Sequence, residues 1–176
     1  MSIFQRAPWF LVHPKARTPR FWTWIFCGVV VLFAAAAYSF SNYRIGFSNE
    51  GEQSIGSAWT LVRLHAGPAA VGTYGVFVIG PAVRKFAPGT QFVKLIVGKP
   101  GDLVRIGDDQ TTVNGKKVSG SLDSLGALGL KADDVERTFI LGPNEYFAVG
   151  TRPHSYDSRY WGPVRGEQFV GTATLL

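Results

Sequence analysis

Residues 21–40 read FWTWIFCGVVVLFAAAAYSF, twenty consecutive positions without a formal charge. At helical rise such a run is as long as the ~30 Å hydrocarbon layer of a bilayer is thick, and its pattern predicts one transmembrane helix. Phe21, Trp22 and Trp24 suit one membrane interface, Tyr38 and Phe40 the other. Arg6, Lys15, Arg17 and Arg20 precede the run with no acidic residue among them, so four of the six net positive charges lie in the first twenty positions. The positive-inside rule then keeps the N-terminus cytoplasmic and sends residues 41–176 across the membrane. A cleavable signal peptide is the competing reading, because Ala34 to Ala37 supply small residues at the right end. Its apolar region ordinarily spans only ~7–15 residues, which favours a retained anchor. The expected organisation is a cytoplasmic segment 1–20, a membrane helix 21–40 and one external domain 41–176, large enough for a real apolar core and too small for two domains.

With so much of the basic excess serving orientation, the charge balance needs no nucleic acid, and no basic stripe interleaved with aromatics is present. Cys27, the single cysteine, falls inside the predicted helix, so the external domain must hold together without an internal disulfide. His13, His65 and His154 are scattered and have no partner at metal-ligand spacing, which argues against a zinc enzyme. No metal or organic cofactor is implied.

Beyond the helix, short alternating runs are separated by turn signals every eight to twelve residues, the pattern of a small, mainly β, antiparallel domain. Strands are expected at 59–64, 74–79, 92–97, 103–106, 111–113, 139–141, 146–149 and 167–174. Asn114-Gly115 predicts a type I′ hairpin leading into 116–118, and Pro100-Gly101 a tight turn after the strand at 92–97. Residues 119–137 show no clean period and read as a loop or insertion with a short helix near 131–137.

Two segments carry chemistry. In the strand at 92–97 side chains alternate between faces, so Lys94 shares a face with Phe92 and Ile96. An ammonium held between apolar neighbours is poorly solvated, its pKa falls, and the neutral amine can take a proton from a hydroxyl. Most strand lysines instead reach solvent or snorkel from an edge, and spacing alone does not decide between the two. The second segment, Ser155-Tyr156-Asp157-Ser158-Arg159-Tyr160-Trp161-Gly162, packs a hydroxyl, a carboxylate, a guanidinium and aromatics into eight residues.

Together with Lys94-Leu95-Ile96-Val97-Gly98-Lys99-Pro100-Gly101-Asp102, this segment resembles the S26 family of signal peptidases, whose order and separation of the two boxes it keeps. The resemblance implies a signal-peptidase-like coiled β-sheet or barrel domain and a Ser/Lys dyad, with Lys94 as the general base. Lys99 falls in the turn, where it serves solubility. The nucleophile implied is Ser54, in Ser54-Ile55-Gly56-Ser57-Ala58-Trp59, which is similar to the S-x-P-x-G-x-Y pattern of the conjugative, TraF-like branch and lacks its proline and glycine; Ser57 is the alternative. Ser155 matches the serine that hydrogen-bonds the lysine, and Asp157 and Arg159 match an ion pair beside it. Family members commonly carry a hydroxyl donor two residues before the nucleophile, where this chain has Glu52. A carboxylate cannot donate to an oxyanion, so Gln53 or another group must do so, or catalysis is slow.

The activity implied is acyl transfer: Lys94 deprotonates Ser54, which attacks a carbonyl after small residues, and water or an amine releases the acyl group. The expected substrate is a prepilin of a conjugative type IV secretion apparatus, processed and in TraF-like systems cyclised, with that apparatus and inner-membrane lipid as partners and the catalytic domain periplasmic. Two other readings stay open: a general type I signal peptidase acting on many preproteins, and a silent pilus-assembly scaffold.

Overall fold

The computed structural model describes residues 19–48, 54–80, 83, 86–87 and 89–176. Arg6, Lys15 and Arg17 of the expected basic segment, and Glu52 and Gln53, lie outside the described residues. The chain divides into two compact units at Asn42. The first carries α1, Pro19–Asn42, which is four residues longer than the uncharged run and has no buried side chain. Proline suits the first helical turn, where its missing N–H has no partner to lose, and Thr23 Oγ1 donates to the Pro19 carbonyl at 2.9 Å. The helix is long and apolar enough to cross a membrane.

The second unit, Tyr43–Leu176, is built from antiparallel strands: β1 (Tyr43–Phe47), β2 (Trp59–Leu64), β3 (Tyr74–Val78), β4 (Gln91–Gly98), β5 (Leu103–Ile106), β6 (Thr111–Val113), β7 (Lys116–Ser119), β8 (Arg137–Ile140), β9 (Glu145–Val149), β10 (Val164–Arg165) and β11 (Phe169–Leu175). Short helices α2 (Leu125–Leu128), α3 (Ala132–Val135) and α4 (Ser158–Trp161) interrupt them. Seven strands form one sheet in the order β1-β2-β11-β3-β4-β9-β10, and four form a smaller one in the order β7-β6-β5-β8. The fold is thus mainly β and antiparallel, with one apolar helix before it.

The turn chemistry does what the sequence demands. Asn114 and Gly115 both have positive φ, 49° and 78°, and Val113 pairs with Lys116, the two-residue type I′ connection. Gly101 sits at φ 87° in a turn closed by Asp102 N–H donating to the Lys99 carbonyl. The Asp102 carboxylate accepts from Lys99 N–H and from Asn114 Nδ2, each at 2.9 Å, tying that turn to the neighbouring hairpin.

Some boundaries differ from expectation. The strand expected at 139–141 begins at Arg137 instead, and the one expected at 167–174 opens with a 3-10 turn, Gly166–Gln168, before β11. Residues 119–137 carry two helices, of which α3 falls where one was expected. β1, β10, α2 and α4 have no counterpart among the expected elements.

Apolar packing falls into two main clusters. Val104, Ile106, Val113, Leu122, Phe147 and Val149 belong to one; Phe77, Ile79, Ile96, Ala148 and Phe169 belong to the other. β9 feeds both, because its alternating side chains are buried on both faces. Tyr156 and Trp161, from the segment around α4, pack against both clusters.

Candidate active site

β4 lies inside the large sheet, flanked by β3 and β9, so its side chains have protein on both sides. Lys94 pairs across with Gly75 and Phe92 with Phe77, which places the lysine on the face that carries Phe77 and Ile96. It is 3% exposed, and its ammonium lies 5.4 Å from the centroid of the Phe92 ring. Burial is the largest influence on the amine and lowers its pKa to about 8; the charge of Asp157 raises it and that of Arg159 lowers it. At pH 7 about one amine in ten is therefore free to accept a proton.

Among the described residues the hydrogen-bond partner of Lys94 Nζ is Ser155 Oγ, at 2.9 Å, with Ser155 itself 3% exposed. A hydroxyl can do this without adding charge, and so it orients the amine while leaving it able to deprotonate.

Ser155 is held in place by Asp157 and Arg159, two and four residues further along the chain. Asp157 caps α4, accepting from Arg159 N–H, and its carboxylate also accepts from Gly150 N–H at 2.8 Å. Arg159 meets it with two parallel bonds, Nε to Oδ1 at 2.8 Å and Nη2 to Oδ2 at 2.9 Å. The pair is buried, with side-chain exposures of 4% for Arg159 and 0% for Asp157. A bidentate, fully hydrogen-bonded geometry is what a buried ion pair needs to offset desolvation. Burial pulls the Arg159 pKa down, but the hydrogen bonds and charge of Asp157 outweigh it and hold the guanidinium above its usual value. The same Nη2 also donates to the Ser155 carbonyl at 3.2 Å, so the ion pair grips the backbone of the lysine's partner.

Ser54 is tied to the same loop. Its carbonyl accepts from Thr151 N–H at 2.8 Å and from Arg152 N–H at 3.4 Å, which ties it to the loop that ends in Ser155. Gly150 makes this approach possible: a Cβ there would stand 1.9 Å from Ser155 Oγ and 2.7 Å from the Ser54 carbonyl oxygen. Ser54 and Ser155 thus crowd the same missing side chain. Among the described residues no hydrogen bond joins the Ser54 hydroxyl to Lys94, whose amine donates to Ser155.

Ser57 is differently placed. Its hydroxyl lies 2.9 Å from the Trp59 and Leu176 carbonyls and accepts from Trp59 N–H, so it is engaged in holding backbone. Lys99 is exposed in the turn. His154, with φ 60°, turns its Nδ1 to the Asp123 carbonyl at 3.0 Å.

Sequence reasoning missed several contributors. Gly150 is one, although a glycine opening the loop before a serine box was the available signal. Ser158, fully buried and accepting from Ala148 N–H at 3.1 Å, locks α4 to β9. Residues 121–124, with the composition of a loop, reach Arg159, Tyr160 and His154; nothing in that composition announces it.

Signal peptidase I V of Bacillus subtilis is 36% identical over 91 residues, covering 45% of this chain and 53% of that protein. Signal peptidase I of Bacillus caldolyticus is 28% identical over 178 residues, covering 92% and 91%. The chain spans about half the length of several such relatives. A crystal structure of a signal peptidase I from Enterococcus faecalis V583 aligns with 62% of this chain and all of its own at a TM-score of 0.41 and 24% identity. The sequence profile of the family described as signal peptidase, peptidase S26 matches residues 19–176, and the chain belongs to that family of serine endopeptidases.

Proposed function

We propose that this protein is a membrane-anchored endopeptidase of the signal peptidase I type, in which Lys94 is the general base, Ser54 the nucleophile, Ser155 the orienting hydroxyl and the Asp157–Arg159 pair its support. The observation that carries the reading is the 2.9 Å bond between a lysine 3% exposed and a buried serine. Burying an ammonium among apolar groups is costly, and groups perturbed in this way cluster at functional sites. α1 acts as the anchor, with residues 1–20 cytoplasmic and 41–176 on the outer face of the inner membrane. Preproteins carrying small residues before the scissile bond are the substrates.

The chemistry uses only the groups present. The neutral Lys94 amine accepts the Ser54 hydroxyl proton as its oxygen attacks the scissile carbonyl, giving a tetrahedral oxyanion that collapses to an acyl-enzyme as the mature chain's amine leaves with that proton. Water, deprotonated by the same amine, then releases the leader peptide.

A narrower reading takes the substrate to be a prepilin of a conjugative apparatus. It draws support from the aromatic, Trp59, that closes the segment begun by Ser54, while Gly56 and Ala58 stand where that branch's pattern has its proline and glycine. The relatives, all signal peptidase I enzymes, lend the general reading at least equal support. Complementation of a conditional housekeeping signal peptidase mutant separates them: rescue by this chain, abolished by Ser54→Ala or Lys94→Ala, supports general processing. Failure to rescue, with dyad-dependent shortening of a co-expressed prepilin, supports the narrower substrate. Maturation of both substrates unchanged by either substitution overturns the enzymatic reading.

A further inference from the structure

Residues 121–124 belong to the insertion between β7 and β8, far along the chain from the boxes that carry the proposed dyad. Leu122, 4% exposed, is buried in the cluster that contains Val104, Ile106 and Val113, and its N–H donates to the Asp108 carbonyl of the β5–β6 turn. One end of the segment is thus fixed to the small sheet.

Three further contacts reach the segment from His154 to Tyr160. Arg159 Nη1 donates to the Ser121 carbonyl at 2.9 Å. Ser124 N–H donates to Tyr160 Oη at 3.1 Å. His154 Nδ1 meets the Asp123 carbonyl at 3.0 Å. Tyr160 closes the arrangement from beneath, with its ring centroid 5.4 Å from the Arg159 guanidinium carbon and its body, 8% exposed, in the same apolar cluster as Leu122.

We propose that residues 121–124 are a strap through which the small sheet positions the base, with Tyr160 and Leu122 as its positioning residues. The chain of contact is continuous. The strap sets Arg159 through the Ser121 carbonyl; Arg159 holds Asp157 and the Ser155 carbonyl; Ser155 holds Lys94. Without the Ser121 carbonyl the guanidinium would be held only by Asp157 and the Ser155 carbonyl, the groups it is to position, whereas the strap fixes it independently of them.

The consequence is electrostatic. The charges that act on Lys94 are Asp157 and Arg159, of opposite effect; those around Arg159 are Asp157, Tyr160 and Asp123, with His154 on the strap's own backbone. Releasing Arg159 leaves Asp157 less compensated, which favours the ammonium form of Lys94 and removes base at neutral pH.

This inference rests on Lys94 being the base, so the test has two readouts on the full-length chain in detergent. The first is the titration of Lys94 itself, followed by its 13Cε NMR shift and assigned by comparison with Lys94→Arg. The second is the pH dependence of kcat/KM on a fluorogenic peptide with small residues before the scissile bond. Tyr160→Phe keeps the ring and removes the acceptor for Ser124 N–H; Leu122→Val loosens the anchor by one methylene. Both are expected to move the Lys94 midpoint up by about half to one pH unit and to lower activity at pH 7 about three- to tenfold. Val135→Ala, in the same apolar cluster but touching no part of the strap's polar contacts, is the control and leaves the midpoint in place. An unchanged midpoint in Tyr160→Phe and Leu122→Val, or an equal shift in the control, overturns the strap. If the wild-type chain cleaves neither this peptide nor a co-expressed prepilin, the enzymatic reading fails, and the NMR titration still decides whether the strap positions the amine.

Discussion

At the scale of single residues, Lys94 sets two opposed expectations. As a base it works only when neutral, so kcat/KM should climb about tenfold per pH unit below its folded pKa and level off above about 8. A profile already flat at pH 6 would remove the lysine from the mechanism. For stability the sign is the reverse of a lysine that gains a partner. The folded pKa lies below the unfolded 10.5, so the folded state binds the proton less well. The resulting penalty, on the order of 3 kcal/mol, is complete below about pH 8 and disappears as pH rises towards 10.5. Lys94→Met removes that penalty and forfeits one hydrogen bond of about 1 kcal/mol. The inactive variant should therefore melt several degrees higher than the wild type at pH 7, with the gap closing by pH 10 in calorimetry. Gly150→Ala makes the complementary case: its methyl overlaps Ser155 Oγ and presses on the Ser54 carbonyl. Overpacking of this kind costs about 1–3 kcal/mol, and peptide cleavage should fall by far more than the melting temperature suggests, because the overlap falls on the two serines of the proposed mechanism.

At the scale of elements, legibility followed side-chain period and turn chemistry. β2 through β9 could be read because alternating apolar side chains and turn residues report the same period. β1 could not: neither of its faces is fully buried, Ile45 and Phe47 are exposed at 68% and 60%, and it is held by pairing with β2 alone. β10 is two residues long and comes after Pro163, below the length at which any period is visible. The Lys94 position was legible in its face, through Phe92 and Ile96, but its burial depended on β3 and β9 flanking it, which no local pattern states. The apolar outer face of β1 and β2 carries a prediction of its own. Phe47 pairs with Trp59 and Ile45 with Leu61, and the first two rings lie 4.8 Å apart. A ladder of four exposed apolar side chains is costly in water and suits a lipid interface, where aromatics are enriched. The unit from Tyr43 onward retains two tryptophans, Trp59 and Trp161. Its emission should shift to the blue on adding anionic phospholipid vesicles, and Trp59→Ser with Phe47→Ser should abolish both the shift and co-sedimentation.

At the scale of the whole unit from Tyr43 to Leu176, no disulfide is available, since the chain's one cysteine lies in α1. Cohesion between the two apolar clusters therefore rests on what touches both, and Tyr156 and Trp161 do so from either side of the buried Asp157–Arg159 pair. The ion pair is thus a hinge pin for packing as well as an electrostatic neighbour of the amine. Removing one partner strands the other's charge in the interior: Asp157→Asn should cost about 3–5 kcal/mol and leave Arg159 without its counter-ion. Replacing both partners with apolar groups avoids the stranded charge, so Asp157→Leu combined with Arg159→Met should recover much of the loss in denaturant unfolding. Catalysis should not return with stability, because the double variant has lost the guanidinium that holds the Ser155 carbonyl and the acceptor of Gly150 N–H. Recovery of peptide cleavage in the refolded double variant would reduce the pair to packing alone, whereas a stable, inactive protein would show that the charges are kept for the geometry of Ser155 and Lys94.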